Sequence, residues 1–214
     1  MNSNGQLPFN WFDVAVLLML LVGYKRGQAH GLSQEILAVI KWVTIIGVAA
    51  FTYEPLGMWI SKTAGMSQLL SFVAAYAAIA MVITLIFVFI NSSVGEKLKG
   101  TDKFGKAEFH LGKPAGMLRF LCILLALLAL LNARFYSTAE VRAMAKYQND
   151  NYGSNFFPTL SSIQDGVFRD SFLGKQAKEH ISFLFIKPTP ATGGSVLGTG
   201  AMPTTGKQRE FKAP

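Results

Sequence analysis

The chain has 214 residues, of which 51% are hydrophobic and 15% are charged, and its formal net charge is +8. This composition departs from that of soluble globular domains in the direction of membrane proteins. The positive charge does not indicate nucleic-acid binding, because lysine and arginine alternate with apolar segments and follow no nucleic-acid fold signature. With Cys122 as the single cysteine, no internal disulfide can form.

Four apolar segments predict four transmembrane helices. One of them, residues 69–90, is 22 consecutive residues without a charge, and at about 1.5 Å per residue such a helix crosses the roughly 30 Å hydrocarbon core of a bilayer. The other segments reach a spanning length when their polar ends are included. The predicted spans are residues 11–30, 34–51, 69–90 and 112–131. The predicted fold class is therefore all-α, a polytopic membrane protein.

Local signals predict how these segments begin and end. The N-terminal segment, residues 1–10, has no lysine or arginine, so the first span is predicted to be a retained anchor and not a cleaved signal peptide. Ser33 is predicted to cap the second span, with Glu35 in its first turn. Residues 53–68 contain proline and glycine and are predicted to be a turn-rich connection. Pro114 is predicted to lie in the first turn of the fourth span.

Lysine and arginine are distributed unevenly between the two sides of the predicted membrane domain. Eight lie near the spans on the side of the loops after the first and third spans, and four lie on the opposite side. The positive-inside rule therefore predicts that those loops are cytoplasmic and that the C-terminal region is periplasmic. The basic cytoplasmic loop is expected to contact anionic lipid headgroups through five lysines: Lys97, Lys99, Lys103, Lys106 and Lys113.

Residues 133–186 have the pattern of a small helical region outside the membrane. A capping-box pattern opens a helix at Ser137. Asp170 is predicted to cap a second helix, residues 171–185, whose apolar face lies on a membrane surface or on a partner. Residues 187–214 have too few apolar side chains to bury and are predicted to be a disordered tail.

Glycines recur at intervals of four residues in two of the predicted spans. This spacing places them on one helix face, where a second backbone can approach closely. The face is predicted either to pack helices within the chain or to form an oligomer interface, and it consists of Gly23, Gly27, Gly31, Gly112 and Gly116.

Four ionisable residues lie within the predicted spans or at the membrane edge: Asp13, Glu35, Lys41 and Arg119. A charge inside a membrane is costly, so such residues pair, reach toward the surface or have a function. Asp13 is predicted to be a first-turn acid at a helix N-terminus. Lys41 and Arg119 are predicted either to pair structurally, with Glu35 as the nearest acid, or to line a polar pathway.

Signatures of catalysis are not found in the sequence. The three histidines lie far apart, and no zinc-protease motif, nucleophile elbow, phosphate-binding loop or paired-cysteine metal spacing occurs. The chain is therefore predicted not to be an enzyme and to use no metal or cofactor.

A spaced set of residues runs through the first two predicted spans: Asp13, His30-Gly31, Glu35 and Trp42. This set resembles the N-terminal half of the colicin V production protein (CvpA) family of bacterial inner-membrane proteins. In that family an arginine usually stands where this chain has His30. Arg26, one turn earlier, is predicted to take over the role of that arginine.

A second resemblance to the same family precedes the last span. The family has Thr-Asp and a basic residue, followed by Leu-Gly-x-x-Phe-Gly-x-x-Arg-Gly. The corresponding residues here are 101–103 and 111–120, with matches at Gly112, Gly116 and Arg119 and with Phe120 in the place of the last glycine. Residues 154–158 resemble the family's Ser-x-x-x-Pro element, so the resemblance covers about residues 11–165.

The resemblance implies four spans in the bacterial inner membrane, a link to colicin V production or export and to envelope homeostasis, and no established catalytic activity. The predicted function is that of a non-catalytic accessory or scaffold protein. Its expected partners are membrane lipid and other membrane or envelope proteins, with a second copy of the chain among the candidates, and not nucleic acid. The alternative is a small channel or transporter subunit that uses Lys41, Arg119 and Glu35.

Overall fold

The computed structural model describes residues 9–99, 107–153 and 158–191. Helices dominate these ranges, and the all-α class predicted from the sequence is confirmed. Three helices in the described ranges are long and apolar enough to cross a membrane. They are α1 (Trp11–Ala64), α2 (Gln68–Lys99), of which Gln68–Ser93 is the apolar part, and α3 (Ala107–Asn132).

Helix α1 reverses its direction at Gly31. The backbone there has φ 73° and ψ 174°, a left-handed φ that residues with a side chain rarely adopt. Residues 11–30 form a first arm, and residues 32–64 form a second arm. Phe12 of the first arm and Tyr53 of the second belong to one buried cluster, although a straight helix would separate them by about 60 Å. The two arms therefore run side by side in opposite directions.

The predicted first and second spans correspond to the two arms of α1, the third to α2 and the fourth to α3. Because α1 counts as one helix by length and composition, the number of four membrane crossings stays a prediction. The arrangement has two ends. The Gly31 end contains Gly31 and the start of α3, and the Asn132 end contains Trp11, Tyr53 and Asn132.

The turn-rich connection predicted for residues 53–68 is wrong. The second arm stays helical through its proline and ends at Ala64, and the C-cap Gly65 has a φ of 63°. Tertiary packing outweighs the turn-forming composition here, because Gly57 lies directly against the Phe72 side chain of α2. The rings of Tyr53 and Phe72 also pack edge to face, with centroids 5.6 Å apart. Only a continuous helix presents both residues to α2 on one face.

Helices α2 and α3 extend beyond the predicted spans at the Gly31 end. Helix α2 continues to Lys99 and α3 begins at Ala107, so much of the predicted basic loop is helical. Glu108 supplies an acid in the first turn of α3, where the exposed amides favour a negative charge. Because α3 begins at Ala107, Pro114 lies in its second turn and not in the first turn, where it was predicted.

The C-terminal region, residues 133–191 without 154–157, packs at the Asn132 end. Its regular elements are β1 (Arg134–Phe135), α4 (Thr138–Tyr152), α5 (Leu160–Asp165), a π-helical turn (Gly166–Asp170), α6 (Phe172–Ile181), a 3-10 turn (Ser182–Leu184) and β2 (Thr189–Pro190). The two short strands pair in parallel, with Arg134 opposite Thr189. The predicted disordered tail thus begins too early, because β2 lies within it. Residues 192–214 of that tail lie outside the described residues.

One predicted helix cap in the C-terminal region is confirmed and one is wrong. At the start of α4 the Ser137 hydroxyl accepts from the Glu140 amide at 3.2 Å, and the Glu140 carboxylate accepts from the Ser137 amide at 3.1 Å. Helix α6 is capped by Ser171, whose hydroxyl accepts from the Gly174 amide at 2.9 Å, and not by Asp170. Asp170 is the last residue of the preceding π-helical turn, so it precedes the cap position by one residue.

Candidate functional site

The two predicted glycine patterns face each other within one chain. Gly23 and Gly27 of the first arm lie against Gly116 and Gly112 of α3, which runs antiparallel to that arm. A Cβ atom on Gly23 would lie 2.8 Å from the carbonyl oxygen of Gly116, closer than real Cβ atoms approach. Of the two predicted uses of this face, helix packing within the chain is the one that the structure contains.

Glu108 extends the glycine contact by one helical turn. It precedes Gly112 by four residues and so lies on the same face of α3, directly against Gly31. Glu108 is 7% exposed, and its Oε1 accepts a hydrogen bond from the Ser33 amide at 2.7 Å. The start of the second arm is therefore capped by Glu108, which corrects the prediction that Ser33 is the cap.

Glu108 is not among the residues predicted from the sequence to have a role. It lies among the charged residues of the predicted basic loop, where a carboxylate is expected to be exposed to solvent. Its spacing of four residues before Gly112 is the signal that places it on the packed face.

Glu35 is the centre of a buried ion-pair cluster at the Gly31 end. Its side chain is 2% exposed, and each carboxylate oxygen has its own cationic partner. Oε1 accepts from Nε of Arg26 at 3.2 Å, and Oε2 accepts from Nη1 of Arg119 at 2.9 Å. A buried carboxylate without such partners is strongly unfavourable. The cluster therefore ties both arms of α1 to α3.

Arg26, which is predicted to take over the role of the family's arginine, binds Glu35 in the structure. His30 is not the partner of Glu35, since its Nδ1 lies 3.0 Å from the backbone oxygen of Arg26. Trp42 packs farther along the second arm, against a small buried cluster that contains Cys122. Phe120, which stands where the family has glycine, lies beside Gly23 without separating the helices.

Lys41 lies near the cluster but is not one of the partners of Glu35. Its ammonium nitrogen is 5.7 Å from the centroid of the Trp42 ring, and within the described ranges it forms no ion pair. Lys41, Glu35 and Arg119 line a cavity of about 270 Å³, together with residues of α2. Of the predicted polar residues, Glu35 and Arg119 are therefore paired with each other. Lys41 lines the cavity and lies near the indole ring of Trp42.

Asp13 caps two helices, and so does more than the predicted first-turn acid. Its Oδ2 accepts from the amide of Asn10 at 2.9 Å, which closes a capping box at the start of α1. The same oxygen accepts from the amide of Phe172 at 3.0 Å, and Oδ1 accepts from the amide of Leu173 at 2.8 Å. Because Phe172 and Leu173 are the first residues of α6, one buried carboxylate joins the N-termini of α1 and α6.

Further hydrogen bonds hold the C-terminal region on the Asn132 end. The Asn132 amide group donates to the backbone oxygen of Ile186 at 3.0 Å, and the Tyr53 hydroxyl accepts from the Lys187 amide at 3.0 Å. The Lys187 ammonium also donates to Glu54 at 2.7 Å. This hydrogen bond and the negative charge of Glu54 raise the pKa of Lys187 above its ordinary value.

The apolar face of α6 lies on the chain's own helices. Ala177 and Ile181, followed by Leu184 in the 3-10 turn, pack against the buried cluster that contains Phe12 and Leu128. This differs from both predicted arrangements, a membrane surface or a partner protein. The reason is that Asp13 fixes the start of α6 directly over the ends of α1 and α3, so the apolar face meets these helices first.

The five lysines of the predicted basic loop fall in three parts of the chain. Lys97 and Lys99 lie in the last turns of α2. Lys113 lies in α3, with its ammonium nitrogen 5.4 Å from the centroid of the Tyr24 ring. Lys103 and Lys106 lie outside the described residues.

Metal-binding geometry is not found in the parts of the chain that the structure describes. No group of three or more histidine, cysteine, aspartate or glutamate side chains there could hold a metal ion. Cys122 is buried as a free thiol. The chemistry available at the Gly31 end is therefore that of charged side chains around a cavity.

Comparison with known proteins gives one match, to a protein family. The family model described as Colicin V production protein matches residues 12–161, a range that includes Asp13, Gly31, Glu35 and Arg119. No curated protein matches the chain, and no solved structure matches it. Because the family match covers more than half of the chain and the long helices are apolar enough to span a bilayer, the chain is a membrane protein that belongs to the Colicin V production protein family.

Proposed function

We propose that the protein is a non-catalytic accessory or scaffold protein of the bacterial inner membrane, linked to colicin V production or export and to envelope homeostasis. The family match supports the link to colicin V production, and this family is not a known enzyme family. The long apolar helices support a multi-pass location. The distribution of lysine and arginine supports a cytoplasmic Gly31 end and a periplasmic C-terminal region.

The observation that carries the scaffold role is the attachment of the C-terminal region to the membrane helices. Asp13, Asn132 and Tyr53 hold it through hydrogen bonds that involve both arms of α1 and the end of α3. A region held at so many points presents a constant surface on one side of the membrane. Leu160 and Phe183 on this region are 61% and 65% exposed, so both side chains are accessible to a partner.

The second candidate function is that of a small channel or transporter subunit. The cavity lined by Lys41, Arg119 and Glu35 favours it. Two observations weigh against it. Both oxygens of Glu35 are bound by arginines. In addition, the acids of α1 and α3 lie toward the Gly31 end or the Asn132 end, whereas an ion or proton relay usually has an acid near the centre of the bilayer.

The scaffold role is tested in cells that release colicin V. We expect release to fall when the protein is removed and to return with the wild-type gene. A photo-crosslinking residue at Leu160 should capture a discrete envelope protein, whereas the same residue at Phe89, an exposed position on α2, should capture none. Unchanged release in cells that lack the protein would contradict the link to colicin V.

The transport alternative needs its own measurement. Purified protein in liposomes should not conduct ions or small solutes if the role is purely that of a scaffold. A conductance that Lys41→Gln abolishes would establish the alternative and overturn the scaffold proposal.

A further inference from the structure

The cavity at the Gly31 end has the size of a small polar group. Its volume is about 270 Å³, just under the roughly 300 Å³ at which pockets for drug-sized ligands begin. The second arm of α1 and helix α2 form two of its walls, and Arg119 of α3 closes a third. An occupant is therefore of the size of a lipid headgroup or a small ion, and not of a nucleotide.

The side chains around this cavity carry an excess of positive charge. Arg26, Lys41 and Arg119 line it, and Glu35 is the one carboxylate among its lining residues. Two positive charges are thus left without a negative partner in the lining. Such an excess in a partly buried place favours an anion.

Two basic residues that line this cavity have donors without a partner in the described ranges. Lys41 forms no ion pair within the described ranges. Nε of Arg119 is buried and has no hydrogen-bond partner there, although Nη1 of the same side chain binds Glu35. Arg119 lines the cavity, so an oxygen-rich anion there would gain charge-assisted hydrogen bonds from its guanidinium group.

The α2 wall of the cavity has a polar residue at the Gly31 end and apolar residues next to it. Asn91 lies nearest the Gly31 end, Val88 and Phe87 follow, and Thr84 lies one turn beyond Val88. Val88 is 57% exposed, so the apolar part of the wall continues onto a surface that faces lipid in a membrane. A molecule with a charged head and an apolar tail matches this order of groups.

We infer that this cavity binds the phosphate group of an anionic molecule, held by Lys41, Arg119 and Arg26. Phosphate oxygens suit these donors because guanidinium and ammonium groups form strong, charge-assisted hydrogen bonds with them. Two sources share this chemistry, the headgroup of an anionic phospholipid and a soluble phosphate. The site is a property of the membrane helices and does not rest on the scaffold role.

The test variant is Lys41→Gln. Removing Arg26 or Arg119 would take one of the two cationic partners from the buried Glu35 carboxylate and would destabilise the fold. Lys41 has no such partner, so its loss leaves no carboxylate unpaired. The matched control is Lys62→Gln, in the last turn of the same helix at the opposite end. Lys41→Arg, which keeps the charge, is the third variant.

The experiment uses the full chain purified in a neutral detergent, with two probes. The first is phosphatidylglycerol against phosphatidylcholine, with bound lipid counted by native mass spectrometry. The second is inorganic phosphate, with binding followed by the rise in thermal unfolding temperature. We expect Lys41→Gln to weaken binding about fivefold, which corresponds to one basic residue near a membrane surface, and Lys62→Gln to bind like wild type.

The two probes distinguish the sources. Binding of phosphatidylglycerol that depends on Lys41 supports a lipid ligand, and binding of inorganic phosphate that depends on Lys41 supports a soluble one. Equal binding by wild type and Lys41→Gln with both probes would overturn the inference. A loss in Lys41→Arg as large as in Lys41→Gln would also overturn it, because the charge alone should suffice. The unfolding temperature without ligand shows that each variant is folded.

Discussion

Oδ1 of Asp13 lies 2.8 Å from the backbone nitrogen of Leu173, 160 positions later in the chain. The same carboxylate binds the amides of Asn10 and Phe172 through its other oxygen. A residue in the first turn of α1 thus determines where α6 begins. Asp13 is 5% exposed, and its removal would leave three backbone amides without their acceptor.

Replacing Asp13 by alanine should destabilise the protein and loosen the C-terminal region. We expect a loss of about 2–4 kcal/mol in the free energy of unfolding, because two helix N-termini lose their cap. The measurements are thermal unfolding in detergent and the rate of proteolysis in the C-terminal region. The control, Asp165→Ala, removes only an exposed ion pair of 3.6 Å with Arg169 and should behave like wild type. Equal unfolding temperatures for Asp13→Ala and wild type would refute the role of Asp13.

Replacing Glu35 by glutamine should be strongly destabilising, because two arginines lose the charge that balances them. We expect a loss of about 3 kcal/mol in the free energy of unfolding, measured as a lower unfolding temperature and a lower amount of protein in membranes. Glu54→Gln, which removes an exposed ion pair with Lys187, is the control and should stay close to wild type.

A double variant checks that the loss comes from the pairing of Glu35. Glu35→Gln with Arg119→Gln should cost less than the two single changes added together, since each single change already breaks the ion pair between these two residues and the double variant loses it only once. Strictly additive effects would mean that Glu35 and Arg119 act independently, contrary to the contact of 2.9 Å.

The glycine contact predicts different effects for the same change at two positions of α1. Gly27→Ala places a Cβ atom on the backbone of Gly112 and should cost about 1–3 kcal/mol of stability. A Cβ atom on Gly47 meets nothing within 4 Å, so Gly47→Ala should be neutral or slightly stabilising. Unfolding temperature is the measurement, and a tolerated Gly27→Ala would show that the first arm and α3 are not in close contact.

The topology predicted from charge can be measured with single cysteines. In a Cys122→Ser background, Ala64→Cys lies near the Asn132 end and Ser93→Cys lies near the Gly31 end, both at exposed positions. A thiol reagent that does not cross membranes should label Ala64→Cys on intact spheroplasts and should reach Ser93→Cys only after lysis. The reverse pattern would place the C-terminal region in the cytoplasm.

Single residues show which contacts can be predicted from the sequence and which cannot. The capping box of Ser137 and Glu140 is predictable because both partners lie within one turn of the same helix. The helical state of the segment around Pro55 and Gly57 is not, because it depends on Phe72 of another helix. The role of Glu108 could not be predicted for a similar reason, since its partner Ser33 lies 75 positions away in the chain.

The sequence by itself determined the membrane class, the all-α fold and the family, since apolar length, helical periodicity and motif spacing are properties of consecutive residues. Only the tertiary structure decided the partners: Arg26 and not His30 beside Glu35, Glu108 under Gly31, and Asp13 at the start of α6. Such contacts depend on how helices are placed in space. That placement results from packing summed over many side chains, which no local pattern contains.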